Sequence, residues 1–139
     1  MLKISQAYLD EMIKHAREDF PDEACGVIIG PEDTRDLARL VRITNAERSP
    51  TYFRFDPDER LQLSNEMFPL DQEVLVVYHS HTSTEAYPSR TDISEAYEPQ
   101  AHYVIVSLEE SGREEGPVSV RAYRILDGDV TEEEITIRE

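Results

Sequence analysis

The chain has 139 residues, enough for one compact domain with its own core. Fourteen Lys plus Arg stand against thirty Asp plus Glu, a formal net charge of -16. Such a chain has no basic cluster for nucleic-acid phosphates or anionic lipid, and it is expected to bind neither.

In chain order, the first element is an amphipathic helix. Leu9, Met12, Ile13, Ala16 and Phe20 recur at helical spacing, Ser5 is its N-cap, and Ile4 with Leu9 forms a hydrophobic staple. His15 falls on this helix and reads as solvated. Pro21 ends it. Ala24 to Gly30 reads as a buried strand, followed by strands over Leu37 to Thr44 and Tyr52 to Phe55, whose two Phe rings pack a sheet face. Asp56-Pro57-Asp58-Glu59 opens a second helix that runs to about Phe68.

Val74 to Tyr78 is a further buried strand and feeds directly into His79-Ser80-His81. After a loop ending at Pro88-Ser89, a helix is expected over about Thr91 to Glu98. Tyr103 to Leu108 reads as a strand, Glu109 to Pro117 as a charged surface loop, and Val118 to Ile125 as a strand. Asp127-Gly128 is a hairpin signal, and Val130 to Ile137 closes the sheet. Helices and strands interleave without repeat or linker, which predicts a single α/β domain over residues 1–139 with a mixed sheet flanked by helices.

The lone cysteine, Cys25, excludes an internal disulfide and fits a reducing compartment. Asp10, Glu11 and Lys14 interrupt any signal-peptide apolar region, and no apolar stretch is long enough to cross a bilayer. A cytoplasmic location is expected.

Four residues suggest chemistry. Side chains at i and i+2 of a strand point to one side, so His79 and His81 can converge on one metal ion, and Asp92, after ten intervening residues, can return its carboxylate over the strand end. The plain alternatives are a packed histidine pair and an Asp that caps a helix behind Ser89. Capping and ligation are compatible, because a carboxylate at a helix N-terminus is electrostatically held. Glu23, at a loop-to-strand junction, can serve as a base or be an ordinary solvated acid. Cys25 reads as a small buried residue, with no basic neighbour in sequence to activate its thiol. His102 reads as a core or rim histidine, and Thr84, Tyr87 and Arg90 as loop residues within reach of a substrate.

Together, Glu23 in Glu-Ala-Cys-Gly, His79-Ser80-His81, seven intervening residues, and Ser89-x-x-Asp92 resemble the signature of the JAMM (MPN+) metallopeptidase family. The resemblance covers nearly the whole chain. It implies a cytidine-deaminase-like α/β fold and one Zn²⁺, with His79, His81 and Asp92 as ligands, Glu23 as general base and Ser89 steadying an oxyanion. The stretch His-Ser-His-Thr followed by Glu-Ala-Tyr-Pro-Ser-Arg-Thr-Asp is similar to an actinobacterial branch of the family. That branch implies a ubiquitin-like sulfur-carrier protein with a C-terminal Gly-Gly tail as substrate, and release of cysteine from it.

Thr82 stands where many members carry proline, and the chain lacks room for large ubiquitin-holding insertions. The remaining alternatives are an isopeptidase on ubiquitin-like conjugates and a non-catalytic MPN interaction module. A deaminase with a Pro-Cys-x-x-Cys motif is excluded by the single cysteine, and the His-Glu-x-x-His helix of other zinc proteases is absent.

Overall fold

A computed structural model of the chain describes residues 1–109 and 116–138. Its centre is a six-stranded mixed sheet in the order β3-β2-β4-β5-β6-β7, with β2 at Cys25–Pro31, β3 at Arg39–Ile43, β4 at Gln72–His81, β5 at His102–Ser107, β6 at Ser119–Leu126 and β7 at Asp129–Glu133. Only β4 and β5 run parallel; every other neighbouring pair is antiparallel. A separate two-stranded sheet pairs β1 (Leu2–Ile4) with β8 (Ile135–Ile137) in parallel. Among the described residues, three α-helices complete the fold: α1 (Gln6–Asp19), α2 (Pro57–Met67) and α3 (Arg90–Ser94).

The helices begin where side chains can satisfy free backbone N–H groups. Ser5 accepts from the Tyr8 N–H to start α1. Asp56 accepts from Asp58 and Glu59 to start α2, with Pro57 in the first turn, where its missing N–H costs nothing. Ser89 and Asp92 close a reciprocal capping box at α3.

The sheet carries two cores, one on each face. Leu9, Met12 and Ala16 of α1 pack on Ile28, Val76, Tyr78, Val104 and Ala122, with Ile4 as the expected staple partner of Leu9. On the other face, Leu63 and Met67 of α2 pack with Val27, Val77, Tyr103, Ile105 and Ile125. Central strands covered on both sides read as continuous apolar runs, which is why β2, β4 and β5 were legible from residue type alone. Alternation then puts Val77, His79 and His81 on the α2 face and Val76 and Tyr78 on the α1 face.

Several expectations need correction. Tyr52 to Phe55 is an extended segment with one isolated bridge, Asn45 to Phe55, and no ladder. The stretch expected as one closing strand divides at Glu134: β7 extends the main sheet, and β8 joins the chain's own N-terminus. The third helix stops at Ser94 instead of reaching Glu98, because the Glu98 N–H is drawn to the Tyr103 hydroxyl and Glu98 also pairs with Arg60. His15 is buried, at 4% exposure, rather than solvated. The expected surface loop of Glu109 to Pro117 falls largely on residues 110–115, outside the described residues. Asp127 and Gly128 form the expected hairpin turn, both with the positive φ that a two-residue turn of this kind requires. Among the described residues, no helix is long and apolar enough to cross a membrane.

Candidate active site

The candidate residues meet at the carboxyl ends of the parallel pair β4 and β5, the customary position for a site in an α/β sheet. His79 and His81 are the last alternate residues of β4, both buried. They belong to the strand itself, so the sheet ladder fixes their backbone. Asp92 arrives from α3, held by its own capping box: the Ser89 N–H donates to Asp92 Oδ2 at 2.8 Å and the Asp92 N–H donates to Ser89 Oγ at 3.0 Å. The helix-cap and site readings of Asp92 thus hold at once.

Both histidines aim Nε2 at one oxygen, Asp92 Oδ2, at 3.2 Å from His79 and 3.1 Å from His81. One atom from each of the three residues lies within 4.8 Å of the others. His81 Nδ1 faces the Glu85 carbonyl at 2.8 Å, so it carries the proton, and the Nε2 lone pair points at the carboxylate. Thr84 Oγ1 adds a contact to the same Nδ1 at 3.1 Å. A lone pair facing an anionic oxygen needs positive charge between them, either a proton or a cation. Burial pulls both imidazoles down; in His79 it prevails, while in His81 the Asp92 carboxylate and the Glu85 carbonyl outweigh it. Burial alone would raise the Asp92 carboxyl, but its bonds to His79 and His81 hold it well below the usual range.

The donor set fits a metal ion. Two imidazole nitrogens and a carboxylate oxygen form a common partial zinc shell, and ligands at about 2.1 Å on a tetrahedron stand roughly 3.4 Å apart, near the separations from Asp92 to each histidine. The Glu85 carbonyl holds the other ring nitrogen of His81, the kind of bond that would fix the imidazole as a ligand.

Glu23 lies beside this cluster. Cys25 is register partner of His79, so two residues back along the antiparallel pair Glu23 comes opposite His81 on the same face. It is 4% exposed, and its Oε1 is buried with no hydrogen-bond partner among the described residues. Burial pushes its carboxyl up to about 8, with His81 opposing that rise and Asp92 adding to it. A buried acid with one unpartnered oxygen and a raised pKa, next to three converging side chains, is a candidate for proton transfer.

Residues that the sequence did not single out hold this arrangement. Ser80 donates its N–H to the Ala24 carbonyl at 3.0 Å and accepts the Ala24 N–H on Oγ at 2.8 Å, clamping the Glu23 strand to the histidine strand. Buried Asn45 donates to the carbonyls of Glu23 (3.1 Å) and Tyr52 (3.0 Å) and accepts from the N–H groups of Glu47 (3.0 Å) and Arg54 (3.1 Å). It thereby ties Glu23 to the extended segment whose Phe53 ring stacks on His79, with centroids 4.4 Å apart. Phe53 also meets Phe55 edge-on at 5.7 Å. The sequence carried no signal for Asn45 beyond its residue type.

The other candidates lie elsewhere. Cys25 is buried, its thiol donates to the Ile43 carbonyl at 3.3 Å, and burial pushes it far above the reactive range. His102 pairs with Glu133 at 2.6 Å across the sheet rim, away from the ligand cluster. Tyr87 packs edge-on against Tyr123, and Arg90 opens α3 as an exposed residue.

Residues 5–125 match the family described as prokaryotic homologs of the JAB domain. The chain is 50% identical over 139 residues to the CysO-cysteine peptidase of Mycobacterium tuberculosis, which covers 100% of this chain and 92% of that protein. It is 31% identical over 103 residues to the desampylase of Haloferax volcanii, 70% of this chain and 74% of that one. A solution structure of a Desulfitobacterium hafniense protein superposes with a TM-score of 0.82 at 33% identity, covering 100% of this chain and 94% of the other.

Proposed function

The chain belongs to the family of prokaryotic JAB-domain proteins, and from that premise we propose that it is a cytoplasmic zinc peptidase that hydrolyses the C-terminal peptide bond of a ubiquitin-like sulfur-carrier protein and releases cysteine. The observation that carries the chemistry is the convergence of His79, His81 and Asp92 on one point, with the buried Glu23 carboxyl, its Oε1 without a partner among the described residues, beside it. The substrate follows from the 50% identity to a CysO-cysteine peptidase over the full chain.

In this reading His79, His81 and Asp92 hold one Zn²⁺. Zinc, when bound, supplies Lewis acidity: it acidifies water and polarises a carbonyl. Glu23 takes the proton of the attacking water and passes it to the leaving amine. It must be ionised to act, and positive charge nearby lowers its pKa toward that state. Ser89 Oγ accepts from the Asp92 N–H, which leaves its own proton free to donate to the carbonyl oxygen as negative charge develops. The Phe53 ring covers one face of His79 and keeps water from it. The substrate bond must lie on an extended tail, and a carrier with a flexible C-terminal Gly-Gly end meets that need.

The likeness to a desampylase favours a second reading, an isopeptidase on ubiquitin-like conjugates with the same catalytic residues. Offering the enzyme a carrier–cysteine adduct and a Lys-linked conjugate, followed by intact mass, separates the two. Glu23→Gln is expected to keep zinc and lose about 10²–10⁴-fold in turnover. Full turnover in that variant contradicts the assignment of the base.

A further inference from the structure

Beside the ligand cluster lies a cavity of about 400 Å³, with His79 and Asp92 in its wall. The rest of its interior is apolar, formed by Phe53, Phe55, Val77, Tyr103, Ile105 and Ile125. Charged residues also border it, but they already have partners. Arg60 donates to Ser64 at 2.5 Å and pairs with Glu98 at 3.1 Å. Glu95 accepts from the Tyr52 hydroxyl at 2.8 Å, and Arg54 pairs with Glu47 at 3.1 Å. What an entering group meets is hydrocarbon and aromatic surface.

We propose that this cavity receives the side chain of the residue being released, and that it selects apolar side chains as a class rather than cysteine alone. The proposal rests on the peptidase reading above. On the acyl side of the scissile bond a Gly-Gly tail has no side chains, so of the residues next to that bond only the leaving one offers a side chain to a cavity touching His79 and Asp92. Cysteine behaves as a small hydrophobe, and its CH₂–SH fills a minor part of the space. An apolar pocket with room to spare discriminates weakly among apolar groups that fit, whereas a charged group loses its hydration there and gains a partner only by breaking an existing pair such as Arg60–Glu98. Each substrate undergoes the same hydrolysis: the C–N bond breaks, the water oxygen joins the glycine carbonyl carbon, and its proton goes to the leaving amine.

The test uses the zinc-loaded full chain and carriers whose Gly-Gly tail is followed by Cys, Met, Phe or Asp, with initial rates from intact mass. Release of Met and Phe is expected within about tenfold of Cys, and release of Asp at least about a hundredfold slower. Release of Cys with Met and Phe a hundredfold behind, or Asp matching Cys, overturns the proposal and leaves the peptidase reading standing. Release of none overturns both. A narrowing variant, Ile125→Phe, is expected to slow the Phe adduct at least about tenfold more than the Cys adduct; equal slowing counts against the cavity as the binding place.

Discussion

Strand β4 separates two sets of buried histidines. On the α1 face, His15 has a different partner for each ring nitrogen: the Tyr78 hydroxyl meets Nδ1 at 2.7 Å and Asp19 meets Nε2 at 3.0 Å. On the α2 face, His79 and His81 both direct Nε2 at the one Asp92 oxygen. Burial is similar in all three, at 4%, 3% and 4% exposure, so burial does not tell them apart. What differs is how partners are shared. One histidine with two partners of its own is a satisfied core residue; two histidines sharing one carboxylate oxygen form a cluster that could hold a cation.

The largest effect on that contrast is expected from Asn45→Asp. It keeps an acceptor for Glu47 and Arg54 but replaces the one amide nitrogen that donates to both the Glu23 and Tyr52 carbonyls with a single oxygen facing them. Activity is expected to fall about 10–100-fold with zinc retained, the usual size of an outer-shell loss. Unchanged turnover would show that Asn45 does not position the base.

On the α1 face, Tyr78→Phe leaves His15 Nδ1 buried without its hydroxyl partner. Stability should fall by about 1–3 kcal/mol in denaturant unfolding, with zinc content and turnover per folded molecule unchanged. Loss of zinc in this variant would erase the distinction between the faces. Tyr78 also explains a glycine: a Cβ at Gly26 would lie 2.5 Å from the Tyr78 ring, so the tyrosine can reach His15 only across a residue with no side chain.

The smallest effect is the pH dependence of the same group. Burial holds the His15 imidazole below its usual range; Asp19 and Glu18 pull it up, Arg42 pushes it down, and Tyr78 supplies the facing hydroxyl. The unfolded chain therefore binds a proton near pH 6.5 that the folded chain resists. Stability should fall as pH drops below about 6.5, by at most about 1.4 kcal/mol per unit from this group, and level off below the folded pKa. His15→Gln should flatten that slope when both proteins are compared by denaturant unfolding without metal; an unaltered slope would mean that His15 is protonated in the fold.

The same contrast explains how far the sequence could be read. Central strands and helix caps were legible because they follow from local residue type: apolar runs at β2, β4 and β5, and Ser5, Asp56 and Ser89 before their helices. The meeting of His79, His81 and Asp92, with Glu23 alongside, could be expected because the spacing of these residues with Ser89 is specific as a set. His15 was read as solvated because helical periodicity does not show that a tyrosine from β4 reaches up to meet it. Tyr52 to Phe55 looked like a strand on β-propensity, but its hydrogen bonds go to Asn45 and its neighbours, which only the folded chain brings near. The split of the last strand at Glu134 depends on β1, two sheet edges and 130 residues of intervening chain, none of it local.

The most direct measurement is metal analysis with zinc-edge X-ray absorption on the purified wild-type chain, alongside His81→Ala and Asp92→Ala. The expected result is one zinc per wild-type chain, bound by nitrogen and oxygen at about 2.0–2.2 Å with imidazole scattering, and a large loss of metal in each variant. Full zinc occupancy in either variant, or sulfur at about 2.3 Å pointing to Cys25, would contradict the account.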